Sequence, residues 1–298
     1  MPVGSSPDDP QQGHVSSGTW QPLSARRGAP PIDSTWQEGI PAWIDHAVRG
    51  WLSVSLIGTH ERLFARLHYP GHFNYDNRFS LVNSLNEADL LDWIDGVLNV
   101  NAARHRELGL PDTSFQSDSR KLQALLSEGH SIWKVSDTFD GLERRQDSTV
   151  TAAAHRASES AKSFGRPAAA KHLESAWRHT FGLHPSPSKA FGEAILAVEA
   201  VAVPAISPTQ AAAHLGHVYG QLSSQGSLYE VVITDKAGDP APVEPVTQLV
   251  GLLWHGHTDR HEGNEPAIPI TQEAAEMALH AATTLVQWFS SGCVRRVQ

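Results

Sequence analysis

Beyond residue 40, apolar residues recur at helical spacing through most of the chain. Ile44, Ala47, Val48, Trp51 and Leu52 fall at i, i+3, i+4, i+7 and i+8 behind Pro41, which suits a first turn, and predict one amphipathic helix. Glu61 to Leu67 is short enough for two turns, and Pro70-Gly71 stops it. Asn86 is a suitable N-cap with Glu87 and Asp89 in the positive first turn. The stripe behind it is Leu90, Leu91, Ile94, Val97 and Leu98. Residues 101–118 read as a connector, and Arg120 to Ser127 as a short helix stopped at Gly129. The period then changes. Ser131-Ile132-Trp133-Lys134-Val135 has strand composition, Asp137 to Gly141 is a turn, and Leu142 to Arg145 returns as its partner, a small β-hairpin.

After Asp147 the composition shifts to Ala, Ser, Thr and His, and 151–167 reads as a linker, in part helical. Helical periodicity resumes with Leu173, Ala176, Trp177 and Phe181. It continues with Phe191, Ala194, Ile195, Val198 and Ala202 up to Pro204. Pro208 is expected to open a third helix carrying Ala212, Leu215, Val218, Tyr219 and Leu222. Residues 226–245 form a loop with a short strand at Tyr229 to Ile233, and Val246 to Trp254 is a fourth helix. Thr271 caps a fifth, with Ala275, Ala278, Leu279, Ala282, Leu285, Val286 and Phe289 on its stripe. Short helices in this succession pack as an antiparallel bundle. The expected architecture is mainly α: a tail over 1–37, a smaller α+β region over 38–150 with one hairpin, the linker, and a helical domain over 168–292.

Composition narrows the classes of function. Hydrophobic residues at 40% support a core over most of the length, whereas the first 37 residues, rich in Gly, Pro, Ser and Gln, lack periodicity and are expected to be mobile. The net charge of −9 argues against a nucleic-acid grip by overall charge. Cys293 stands alone, which rules out an internal disulfide framework and a Cys-rich zinc module and fits a reducing compartment, the cytoplasm. Met1 to Pro10 has neither the apolar core nor the basic start of a secretory signal, and no apolar run reaches membrane-spanning length.

The densest chemistry is His255-Gly256-His257-Thr258-Asp259-Arg260-His261. Three imidazoles and a carboxylate could ligate zinc through His255, His257, Asp259 and His261 and make a metal-dependent hydrolase. Arg260, however, interrupts the His-x-His-x-Asp-His order of metallo-β-lactamase-like enzymes, and a helix precedes the run where that fold has a strand. A second use is metal-independent RNA cleavage. Arg260 would bind a phosphate, and His261 or His257 would move the proton of a ribose 2′-hydroxyl, with no cofactor. No His follows Arg260 with four to six residues between, the spacing of helical nucleases of the HEPN type; Glu265, Pro266 and Ala267 stand there. That spacing does occur at Arg62/His68, Arg66/His72, Arg166/His172 and Arg178/His184, but with 17 histidines in the chain about three such pairs arise by chance. Arg178, followed by His179, is the best placed of the four to touch RNA.

Other features read as structural. Glu193 and Glu199 are six residues apart, about 240° around a helix, and are not expected to share a face. Arg144-Arg145 reads as a solvated hairpin end. Arg295-Arg296 would complement the negative end of the last helix. Trp177, Trp254 and Trp288 lie on or beside apolar stripes and are expected in the core.

Ala176-Trp177, Pro187-Ser188-Lys189-Ala190-Phe191, Glu193-Ala194, Val198-Glu199-Ala200, Leu215-Gly216, Leu253-Trp254, Asp259-Arg260-His261-Glu262-Gly263 and Thr271-Gln272-Glu273-Ala274-Ala275 together resemble the C-terminal domain of abortive-infection proteins. That family resembles a branch of the HEPN helical superfamily, and the likeness spans 168–292. It implies a cytoplasmic, mostly helical, dimeric protein of phage defence that binds or cuts RNA. The sequence departs from the pattern where Glu262 separates His261 from Gly263. Residues 168–298 carry 7 Lys/Arg and 12 Asp/Glu, a net −5. Both departures favour the alternative of a non-catalytic module that binds a partner protein.

Overall fold

The structure is a computed structural model that describes residues 37, 39–109, 113–210, 212–234, 236–257 and 268–297. The expected tail, Gln37 excepted, lies outside them. The described chain is mainly helical: α1 (Ala42–Ser55), α2 (His60–Arg66), α3 (Arg78–Asn83), α4 (Glu87–Leu108), α5 (Thr113–Glu128), α6 (Ser148–Ser163), α7 (Pro167–Phe181), α8 (Pro187–Ile206), α9 (Leu215–Gln225), α10 (Glu244–Gly256) and α11 (Gln272–Ser290). Two small antiparallel sheets complete it. One pairs β1 (Trp133–Val135) with β2 (Leu142–Arg144), the expected hairpin. The other has the order β4-β3-β5, from β3 (Tyr229–Thr234), β4 (Pro240–Pro242) and β5 (Val294–Arg296). No helix among the described residues is long and apolar enough to cross a membrane.

Caps and stripes place most helices where the pattern puts them. Asn86 accepts the Asp89 N–H and opens α4; Thr271 accepts the Ala274 N–H and opens α11. Every expected stripe residue of α11 is buried.

Four expectations change. Residues 101–118 are not a connector, because α4 runs on to Leu108 and ends at Gly109, whose φ of 58° is the left-handed cap conformation glycine adopts without strain. Of 151–167, expected to be a partly helical linker, 151–163 lie in helix α6, capped by Asp147, with Ala157, Ser158 and Ala161 buried against the helical region. Pro208 opens no helix; α9 starts at Leu215, where the His214 ring accepts the Gly216 N–H at 3.1 Å. Arg295 and Arg296 do not cap α11 but form β5, with Arg295 bonded to Glu230 at 2.8 Å across the strands.

Buried side chains form two clusters. The first gathers α1, α2, α4, α5 and the hairpin around Leu52, Leu63, Leu90, Ile94, Leu98 and Leu122. The second gathers α6 to α11 around Leu173, Ala194, Val198, Leu215, Leu253 and Leu285. Trp177, Trp254 and Trp288, expected in the core, pack half-buried against it. The chain leaving α7 stitches the two regions together. Gly182 bridges to Glu143, Leu183 N–H donates to the Leu142 carbonyl at 3.2 Å, and Leu183 packs on the first cluster.

Helices α9 and α10 cross through reciprocal glycine contacts. A Cβ on Gly216 would stand 2.5 Å from the Trp254 ring, and one on Gly251 would stand 2.7 Å from the Tyr219 ring. Each helix thus leaves a gap for an aromatic ring of the other, just ahead of His255 and His257 at the end of α10.

Candidate functional site

The end of α10 turns its two imidazoles to different neighbours. His255 meets the edge of Tyr219 on α9, with ring centroids 5.0 Å apart at 87°. His257 stacks on Phe191 of α8, centroids 5.7 Å apart and nearly parallel at 9°. Gly256 permits that approach, since a Cβ there would stand 3.1 Å from the Phe191 ring. The remaining candidates of this corner, Asp259, Arg260 and His261, lie outside the described residues. Among the described residues no three side chains stand together as a metal site.

His257 borders a groove of about 350 Å³ between α7 and α8, lined also by His179, Lys189, Glu193, Leu196 and Glu199. Helix α8 supplies most of it because residues 189, 192, 193, 196 and 199 follow helical spacing along one side. Glu193 and Glu199 therefore do border a common groove, contrary to the sequence expectation: about 120° separates them the short way round, and Leu196 lies between. Gly192 forms the floor, and a Cβ on it would meet nothing within 4 Å.

The polar groups of the groove are held differently. Glu193 pairs with His172 Nδ1 at 2.7 Å. Glu199 accepts the Leu215 N–H at 2.7 Å, which ties the start of α9 to α8. Burial, with the Lys189 ammonium nearby, lowers the pKa of His179, so its ring is neutral at neutral pH. Lys189 has no ion pair within the chain among the described residues and supplies a positive charge to the groove.

Arg178, one residue before His179, faces elsewhere. Its guanidinium lies 3.2 Å from Asp140, and it lines a separate cavity beside the hairpin. His184 pairs with Asp92 at 3.2 Å. The Arg178/His184 pair is thus committed to carboxylates of the N-terminal region. Arg62 is bonded to Glu107 and Arg66 to Asn99. His172 alone, of the spaced Arg/His pairs, reaches the groove, through Glu193. Sequence reading missed His179, Lys189 and the His172–Glu193 pair; the signal was the α8 face beginning at Lys189, visible only once α7 is laid beside it.

No protein-family model, no curated protein and no solved structure matches the chain.

Proposed function

We propose that the C-terminal bundle acts on RNA, by binding it or cutting it, at the groove between α7 and α8, in the setting of phage defence that the abortive-infection resemblance implies. The observation that carries this reading is the placement of His257, three residues before Arg260, beside His179, Lys189 and the His172–Glu193 pair. Those groups match what phosphodiester cleavage by an internal nucleophile needs. A neutral imidazole takes the 2′-hydroxyl proton, the 2′-oxygen forms a bond to phosphorus, and the bond to the 5′-oxygen breaks as that oxygen gains a proton. The products are a 2′,3′-cyclic phosphate and a 5′-hydroxyl. His179 is suited to the base role, His257 or His261 to the acid, and Lys189 with Arg260 to the phosphate charge. No metal or cofactor enters this scheme. A homodimer would place a second copy of the corner at the same RNA.

Incubation of the purified protein with tRNA and mRNA tests it. Lys189→Ala should weaken binding about tenfold, and His257→Ala should slow any cleavage by about 10²-fold or more. Wild-type protein that neither retains nor cuts either RNA would overturn the reading, and equal decay with Arg260→Ala would remove the role of Arg260. A second reading is a non-catalytic module for a partner protein. Leu196, 42% exposed in the groove, and the net −5 of residues 168–298 favour it. It predicts a stable protein complex with no RNA affinity.

A further inference from the structure

A second cavity, of about 300 Å³, lies where the hairpin meets α6 and α7. Its two banks belong to the two hydrophobic clusters. Asp137 and Glu143 stand on the hairpin side; Glu159 and Glu174 stand on the helical side. Among the described residues, the permanent cations in its lining are Lys162 and Arg178, so carboxylates outnumber them four to two. Both cations are engaged. Lys162 is held between Glu159 at 3.1 Å and Glu174 at 2.9 Å, and Arg178 by Asp140 at 3.2 Å. Lys134, on the hairpin, compensates Glu143 at 2.7 Å and reaches Asp137 at only 3.5 Å. Even with Lys134 counted, the lining keeps an excess of negative charge, and Asp137, 72% exposed, is its least compensated carboxylate.

The cavity also has an apolar wall. Leu173 and Trp177 line it from α7. The indole is fixed in place, since its Nε1–H donates to Glu143 at 3.1 Å and its ring packs edge-on to Phe181, centroids 4.8 Å apart. A fixed aromatic surface beside carboxylates attracts organic cations, which gain ring contact as well as charge pairing. With acids on both banks, a ligand with one charged end would leave one bank unanswered. A phosphate or carboxylate ligand would meet the little-compensated Asp137 on the hairpin bank. The size fits the small end of ligand cavities.

We infer that this cavity binds a linear aliphatic polyamine, its methylene chain against Trp177 and Leu173 and its ammonium groups on the carboxylates of the two banks. Such a ligand spans the seam between the N-terminal and C-terminal regions and raises the stability of their joined state by mass action. The site is separate from the α7–α8 groove, and the inference does not rest on any action on RNA.

Spermidine titrated into nucleic-acid-free, full-length protein by calorimetry is the test. Saturable binding at one site is expected, with a rise in melting temperature. Asp137→Asn combined with Glu159→Gln, both at exposed positions, should weaken binding about tenfold. Lys162→Met removes the resident cation and frees two carboxylates, so it should tighten binding. Magnesium chloride at matched ionic strength should not substitute. Absence of saturable binding at millimolar spermidine overturns the inference. So does binding that neither variant alters, or an equal effect of magnesium, which would mark the effect as charge screening.

Discussion

The two hydrophobic clusters are built from different side chains. In the N-terminal cluster, ten of the nineteen described residues are leucine and none of them is alanine, with Trp93 and Phe64 filling the rest beside Ile and Val. In the C-terminal cluster, eleven of thirty-one are alanine. Helices α1 to α5 meet one another over limited stretches, and large side chains fill the space between them. Helices α7, α8 and α11 lie close along their lengths, so Ala176, Ala194, Ala197, Ala278 and Ala282 take the contacts. One region fears loss of volume and the other fears gain.

Opposite substitutions sharpen that contrast. Leu98→Ala in the N-terminal cluster, where Leu98 is fully buried, should cost about 2–5 kcal/mol in urea unfolding. A loss under about 1 kcal/mol would mean that this core collapses around the gap and is not tightly filled. Ala194→Leu, at a fully buried position of α8, should cost about 1–3 kcal/mol by overpacking. If it is neutral, the close approach of α7, α8 and α11 is wrong. The conventional truncation, Val198→Ala, at a fully buried position of α8, should cost less than Leu98→Ala in the same unfolding measurement.

Electrostatics adds a third probe at the seam. Burial raises the Asp95 pKa, against the pull of the Leu142 N–H that donates to it at 2.6 Å; Asp140 and Asp92 raise it further. A carboxyl whose pKa is higher in the folded than in the unfolded state stabilises fully below the unfolded value, and that contribution is lost as pH rises through the folded value. Asp95→Asn keeps an acceptor for the amide and removes the charge. It should therefore be more stable than wild type at pH 8, with the advantage vanishing toward pH 4. A destabilised variant at pH 8 would show that the carboxylate, not its neutral form, holds the hairpin. Smallest of all, Gly192→Ala should stabilise α8 by up to about 1 kcal/mol, since helix propensity improves and the added methyl meets open groove. A drop in melting temperature would close that groove.

The legible parts of the fold were those whose caps and stripes are local. Asn86 before α4, Thr271 before α11 and the β-branched run of the hairpin carry their signal within a few residues. The end of α4 was hidden because residues 101–108 bury only Ala102 and so show no stripe. Helix α6 was read only as a partly helical linker for the same reason that it packs well. Its buried face is Ala157, Ser158 and Ala161, small residues that read as linker composition yet suit close contact with α7 and α11. The start of α9 was misplaced because histidine is an uncommon cap. At the candidate site, His257 was legible as chemistry, but its neighbours His179 and Lys189 come from other helices, and only the packing of α7 on α8 assembles them.

Strand β4 carries one more consequence. Its three residues are Pro240, Ala241 and Pro242, and it forms one edge of the β4-β3-β5 sheet. Proline has no amide hydrogen, so the whole strand owns a single N–H. An incoming strand from another molecule finds no ladder to extend, although Val232 and Ile233 of the neighbouring strand are exposed. The opposite edge, β5, lies against α8 and α11. The little sheet is thereby shielded from fibrous self-association at its β4 margin, without a single charged side chain on β4 itself.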